Sequence, residues 1–458
     1  MSENNGNNKK SLLPLICLNL GIIAALFVPV SNLFLQRQVI EDKSGDPKLA
    51  AFSKVMQASC VDCHTANMTT YPVYFQLPVA KDIIARDIKE ARAAFLIDQD
   101  QLGGVAPISP VDLAKIATEV QEGAMPPMRY KALHWNSSLS PEQKQAVLDF
   151  VKSRSQATAT GALPLENPFH PDPAKAALGE KLFFDKRLSG DNTVSCASCH
   201  SLEKGGCDQE VTATGIRGQK GPINAPTVFN SAYNFCQFWD GRARDLKEQA
   251  AGPVENPGEM GAKFEDVIAK LKDDTVYSAE SNKLYKGPLS KEVITDAIAE
   301  YEKTLITPGS AFDHYLKGDR QALSAQAQEG YKLFTDKGCA SCHAGPSMGG
   351  MSFEKMGVSK DYFAYREKAR GLKLTEADNG RFNVSKESAD MHKFKVPTLR
   401  NVALTYPYFH DGSVKDLKEA VQVMAEFQNG SKLSDKEATA IVAFLNALTG
   451  EYKGKMLK

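Results

Sequence analysis

Six of the nine cysteines in this 458-residue chain stand in three Cys-x-x-Cys-His pentads: Cys60, Cys63 and His64; Cys196, Cys199 and His200; Cys339, Cys342 and His343. That spacing suits covalent haem. Two thiols add across the vinyl groups of the porphyrin, and the adjacent imidazole reaches the iron. With nine cysteines and eight histidines in the chain, chance alone gives roughly 0.003 such pentads. A zinc site or a thioredoxin-like pair would need more paired cysteines or a βαβ setting. A disulfide framework would not place a His after every second Cys. The expectation is three covalently bound haem c groups, with His64, His200 and His343 as proximal ligands.

The sixth ligand decides what each haem does. A Met thioether raises the potential and closes the iron, whereas an open position permits chemistry. For the first haem the candidate is Met125, held in the rigid stretch Gly123-Ala-Met-Pro-Pro127, with Met128 and His134 as rivals.

These ligands need helices to present them. Gly179-Glu-Lys-Leu-Phe-Phe-Asp-Lys186 precedes the second motif and Gly330-Tyr-Lys-Leu-Phe-Thr-Asp-Lys337 the third, an internal repeat that reads as an amphipathic helix delivering the chain to its haem. Ser140-Pro-Glu-Gln143 and Ser434-Asp-Lys-Glu437 have the capping-box form and open closing helices. Behind them Val147, Leu148 and Val151 form one apolar stripe, and Ile441, Phe444, Leu445 and Leu448 a second. Residues 159–172 are rich in Pro, Gly and Ala and read as a domain boundary. The Gly-, Asn- and Pro-rich chain between His200 and Glu259 reads as long ordered loop, of the kind that carries function. No convincing alternating strand appears. The expected fold is mainly α: three c-type cytochrome-like domains with long loops, preceded by one N-terminal transmembrane helix. The expected divisions are 1–36 for the membrane anchor, 45–158 and 165–320 for the first two haem domains, and 321–458 for the third.

The anchor rests on residues 12–30, almost wholly apolar, after Lys9 and Lys10 and before the next charge at Arg37. The run is long enough to cross a bilayer, and the lysines favour a cytoplasmic N-terminus. A cleaved signal peptide is the competing reading, but no good cleavage site follows and the run is long for one. Either way the rest of the chain is exported. Lys plus Arg equals Asp plus Glu at 55 each, so there is no charge pattern for nucleic acid.

From about Lys175 onward the chain resembles the bacterial dihaem cytochrome c peroxidases. The stretches that carry the likeness are Lys181-Leu-Phe-Phe-Asp-Lys-Arg-Leu-Ser189, Gly221-Pro-Ile-Asn-Ala-Pro-Thr227, Gln237-Phe-Trp-Asp-Gly-Arg242, Val396-Pro-Thr-Leu-Arg-Asn401 and Tyr408-Phe-His-Asp-Gly412. With the separate haem-binding segment from Cys60 to about Val151 and the anchor, the whole looks like the three-haem quinol peroxidases. The resemblance implies that the His200 haem is the peroxide site and the His343 haem an electron-transfer site with Met424 as its distal ligand. It implies Glu259, in Asn256-Pro-Gly-Glu-Met260, as catalytic acid and base, Gln249 as its hydrogen-bonding partner, Met260 packed beside the site, and Trp239 between the two haems. It also implies a calcium ion between the two domains, held by Asn224 and the carbonyls of Thr405 and Pro407; a hard cation suits such oxygen ligands.

One departure stands out. Where much of the family has a loop His that caps the resting peroxidatic haem, this chain reads Thr214-Gly-Ile-Arg-Gly218, and no His lies between His200 and His314. The distal side is therefore expected to be open or water-bound at rest. The expected substrate is hydrogen peroxide, on the periplasmic side of a bacterial inner membrane. Electrons would come from quinol or a small c-type cytochrome by way of the first haem. The stretch 71–75 has aromatics that suit a membrane or quinol contact, though ordinary packing explains them as well. A homodimer is compatible with the resemblance, and Cys207 and Cys236 have no assigned role. Two other readings remain: a multihaem electron carrier without turnover, and a dihaem oxidase that matures a tryptophan-derived cofactor. The latter has Tyr where Met424 stands.

Overall fold

The computed structural model describes residues 40–41, 43–65, 78–108, 110–123, 125, 130–131, 137–155 and 162–458. The apolar segment 12–30, Cys17, the stretch 71–75 and the rival ligands Met128 and His134 lie outside the described residues. The chain divides into two compact units, up to residue 153 and from residue 154 onward.

In the first unit, α1 (Pro47–Ser59) starts where the Asp46 carboxylate accepts from Lys48 N and Pro47 supplies a pre-set first helical residue. It leads directly into α2 (Val61–His64), which carries the first haem motif. Helices α3 (Pro78–Ala94), α4 (Pro110–Glu122) and α5 (Pro141–Ser155) follow. The capping box at the head of α5 forms: Gln143 N donates to Ser140 Oγ at 3.2 Å and Ser140 N to Gln143 Oε1 at 2.8 Å. The apolar stripe behind it differs from expectation. Val147 and Phe150 are buried and Val151 packs on the core, while Leu148 is only partly covered. Positions 147, 150 and 151 share a helix face, and 148 lies at its margin.

The second unit holds the other two motifs. Helix α6 (Pro173–Phe184) leads to α7 (Cys196–Cys199), and α8 (Leu246–Glu255), α9 (Phe264–Leu271) and α10 (Lys291–Glu302) complete that half. Helix α11 (Ala325–Asp336) leads to the third motif on a 3-10 turn (Cys339–Ser341), and α12 (Leu417–Phe427) and α13 (Asp435–Asn446) close the chain. Four short strands accompany them, among them β1 (Phe353–Lys355) antiparallel to β2 (Lys393–Lys395), with Phe353 opposite Lys395. The fold is mainly helical and cytochrome c-like.

The sequence repeat has a physical meaning here. Helix α6 crosses α10 at Gly179 and α11 crosses α13 at Gly330. A Cβ would lie 1.8 Å from Ala297 O in the first case and 1.9 Å from Ala440 O in the second. The first residue of each repeat is therefore the point where two helix backbones touch. The stripe on α13 is buried as expected, through Ile441, Phe444, Leu445 and, just past the helix, Leu448.

Two expectations are corrected. The loop between His200 and Glu259 contains the ten-residue helix α8. Gly252 and Pro253 mask it in the sequence, but Pro253 sits in its last turn, and Asp245 caps its start by accepting from Glu248 N. The expected domain boundary at 159–172 falls within the second unit, which is packed from Ala162 onward. Leu165 is fully buried and its amide donates to Asp313 Oδ1 at 2.8 Å. Buried Arg400 donates to Leu163 O and pairs with Asp313 at 2.8 Å. Beside them Asn230 and Asn401 both donate to Thr307 Oγ1 at 2.9 Å. This buried polar seam fastens the two haem-bearing halves of the unit to each other.

Candidate active site

Each motif histidine is oriented in the same way. Nδ1 faces a backbone carbonyl: His64 to Phe95 O at 3.3 Å, His200 to Gly206 O at 3.4 Å, and His343 to Met348 O at 3.1 Å. A carbonyl only accepts, so Nδ1 carries the proton and Nε2 keeps its lone pair for a metal. Burial lowers all three pKa values, that of His343 to about 4, so the rings are neutral ligands. Three neutral imidazoles, each beside two thiols, fit haem iron.

The His343 site is a cavity of about 200 Å³ whose wall includes Cys339, Cys342, Met424 and Trp239. Met424 enters it from α12. Trp239 is held at the wall by both ends: its Nε1 donates to Asn224 O at 3.0 Å and its carbonyl accepts from Lys395 N at 2.8 Å. Its ring meets Phe394 and His410 edge-on.

The His200 site is built around a tight turn after α8. Glu259 O accepts from Ile216 N at 2.8 Å, and Met260 O accepts from Gly190 N at 2.7 Å, so the turn is tied on two sides. Met260 is buried in the core that also receives Cys196. Ile216 belongs to the Thr214–Gly218 stretch, which folds flat on the Glu259 turn. Gly215 permits the approach, since a Cβ there would sit 2.1 Å from Gly258 O. The Glu259 charge is felt at the Cys199 thiol, which places the carboxyl beside the second haem motif. Burial raises the Glu259 pKa, with Arg242 and a hydrogen bond from Asn256 pulling the other way.

The partner of Glu259 is a correction. Asn256 Nδ2 donates to Glu259 Oε1 at 2.7 Å, and Asn256 Oδ1 accepts from Gly258 N at 2.9 Å, which fixes the amide orientation. Gln249, on α8, makes no hydrogen bond to Glu259. Asn256 had a visible signal, an Asn before Pro-Gly three residues from the acid, but the resemblance drew attention to Gln249 instead.

For the other expected positions, Asn224 Nδ2 donates to Glu210 O at 2.9 Å, which leaves Oδ1 turned the other way, and Asn224 N donates to His410 O at 2.8 Å, close in sequence to Thr405 and Pro407. Met125 is half-buried, but residues 124 and 126–129 around it lie outside the described residues. The ligand atoms of Asp378, His410 and Asp411 lie within 4.8 Å of one another. The Arg366 guanidinium already fills that point, 2.6 Å from each carboxylate, and His410 Nε2 meets Asp378 at 2.7 Å. The cluster is a buried ion-pair network built on Arg366.

Family models match the chain in three places: a haem-binding domain over residues 21–153, di-haem cytochrome c peroxidase over 173–321, and cytochrome c over 327–449. Cytochrome c peroxidase Ccp of Escherichia coli K12 is 45% identical over 410 residues, covering 86% of this chain and 86% of that protein. The chain belongs to the di-haem cytochrome c peroxidase family. It is a haem peroxidase, and hydrogen peroxide is the oxidant it reduces. Cytochrome c551 peroxidase of Nitrosomonas europaea is 48% identical over 277 residues, 60% of this chain and 80% of that one. Among solved structures, a MauG-like protein associated with microbial copper homeostasis is similar with a TM-score of 0.55 at 28% identity, over 63% of this chain and 93% of that one. These shorter relatives cover a length comparable to the second unit alone.

Proposed function

We propose that this peroxidase carries three haem c groups and works at the outer face of a bacterial inner membrane, with quinol as electron donor. Glu259 carries the reading: a half-buried carboxyl of raised pKa, tied into a rigid turn beside the second haem motif. When bound, the haems supply one-electron relay and, at His200, an iron that can accept peroxide. The chain's own residues then handle protons and position. Glu259 takes the proton from the near oxygen of peroxide and returns it to the leaving oxygen. Two electrons and two protons convert one peroxide to two waters. Asn256 holds the Glu259 carboxylate ready, Gln249 lines the approach from α8, and Met260 closes the floor. Trp239 would stand between the haems held at His200 and His343, and Met424 would help to hold the iron at His343. Met125 would do the same for a haem on His64.

The third haem is supported by a Cys-x-x-Cys-His motif in a folded domain whose imidazole is oriented like the other two. The apolar segment 12–30 supports membrane attachment and thus quinol. None of the described helices is long and apolar enough to cross a membrane. A small c-type cytochrome is the alternative donor, suggested by the relatives named for cytochrome c551. A calcium ion would take Asn224 Oδ1 and the carbonyls of Thr405 and Pro407. The deciding experiment is steady-state peroxide reduction by the full chain with a reduced quinol and with reduced cytochrome c. Faster turnover with the cytochrome would overturn the donor assignment. Glu259→Gln should cost about 10²–10⁴-fold in turnover with all haem bands retained; unchanged turnover would remove Glu259 from the mechanism.

A further inference from the structure

Lys395 ends β2 and is 7% exposed. It lines the same cavity as His343, Met424 and Trp239. Its amide is held by the Trp239 carbonyl at 2.8 Å. Neighbouring cations are accounted for: Lys393 pairs with Asp390 at 2.9 Å, and Lys355 on β1 is exposed. Among the described residues the Lys395 ammonium has neither a carboxylate nor a hydrogen-bond partner. A buried lone ammonium is costly unless an anion meets it. Burial lowers its pKa, and the charge of Cys236 is the acidic influence that reaches it. A thiol is mostly neutral at neutral pH, so it is a poor counter-ion. The carboxyl on the cavity wall is Glu354, whose pKa is raised by burial and countered by Lys393. The cavity walls thus leave Lys395 without an anion. Haem, with its two carboxylate arms, brings one.

We propose that Lys395 is the counter-ion of a haem carboxylate in the His343 cavity, and that this pair, fastened to the Trp239 backbone, sets the reduction potential of that haem. The proposal rests on the reading that the cavity holds haem. An uncompensated carboxylate near the iron would favour the ferric state, so loss of the Lys395 charge lowers the potential. It would also leave the cofactor arm next to Trp239 without its anchor.

The test is a spectroelectrochemical titration of the full, haem-loaded chain. Lys395→Met should shift the Met-ligated C-terminal haem to a more negative midpoint, while the other haems stay in place. Lys395→Arg should keep the wild-type value, and Cys236→Ser should leave it unchanged. Resonance Raman spectra should show the propionate-bending band of that haem altered in Lys395→Met and preserved in Lys395→Arg. A Lys395→Met protein with full haem content, an unmoved midpoint and an unmoved propionate band overturns the proposal. So does a Cys236→Ser protein that reproduces the shift, since the thiolate would then be the partner. Should Lys395→Met fail to fold, Lys395→Gln carries the same expectation. Pyridine haemochrome content reports separately whether the cavity holds haem, and peroxide turnover is not among the readouts.

Discussion

At the scale of single residues, the half-buried Glu259 and the buried Glu302, both beside the second haem motif, behave differently. Glu259 has a partner in Asn256 and a cationic neighbour in Arg242. A base must be ionised to accept a proton, so the acid limb of kcat/KM should follow the raised Glu259 pKa, above the ordinary carboxylate range. Asn256→Ala removes a bond that favours the ionised form, and the limb should move to higher pH. A profile that stays in place, with Glu259 intact, would show that Asn256 does not act on the acid. Glu302 has no such help. It is buried, its Oε2 has no partner, and its pKa is pushed up to about 8 from 4.5. The folded chain therefore holds a proton that the unfolded chain releases. The stability this contributes is complete below pH 4.5 and is lost as pH rises toward about 8. Glu302→Gln should flatten that decline in denaturant melts run across the same range; an unchanged slope would assign it to other groups.

Among elements, the sequence was most legible where one residue type leaves the chain little choice. The Cys-x-x-Cys-His pentads, the Ser434 capping box and the Ile441–Leu448 stripe all stand where their spacing put them. Helix α8 was not legible because Gly252 and Pro253 punctuate it, and the 162–166 segment was not because its partners, Asp313 and Arg400, are far away in sequence. The repeat was visible, but its leading glycine gave no hint of function until two backbones were seen to meet at it. Gly179→Ala and Gly330→Ala should each cost at least about 1–3 kcal/mol through overpacking, read as a lowered unfolding midpoint at unchanged haem content. The Thr214–Gly218 stretch likewise became meaningful only in place. It lies flat on the Glu259 turn through the Ile216 amide, with no histidine to offer. The fully oxidised protein should therefore react with peroxide without a lag; a bis-His low-spin spectrum for the second haem would rule this out.

At the scale of the whole molecule, haem content and the joining of domains are directly measurable. Purified protein should yield three haems per chain by pyridine haemochrome, and a Cys60→Ala, Cys63→Ala variant should yield two. Equal yields would mean that the first motif is empty. Within the second unit, Arg400→Ala leaves Asp313 buried without its cation and should cost about 3–5 kcal/mol, seen as a less stable C-terminal unit in thermal melts. The three histidines add something that none of the sites shows alone. All three lean on a backbone carbonyl and, among the described residues, none on a carboxylate. A carboxylate behind the ring would push electron density toward the metal and ease the breaking of a peroxide bond; a carbonyl pushes weakly. On the proposed three-haem reading, the proximal faces would be built alike and would give none of the irons a special reactivity. What separates a wire from a catalyst would then be decided on the opposite face, where the Met424 thioether would shut one iron and the tied-down Glu259 would supply the pull that no histidine provides from behind.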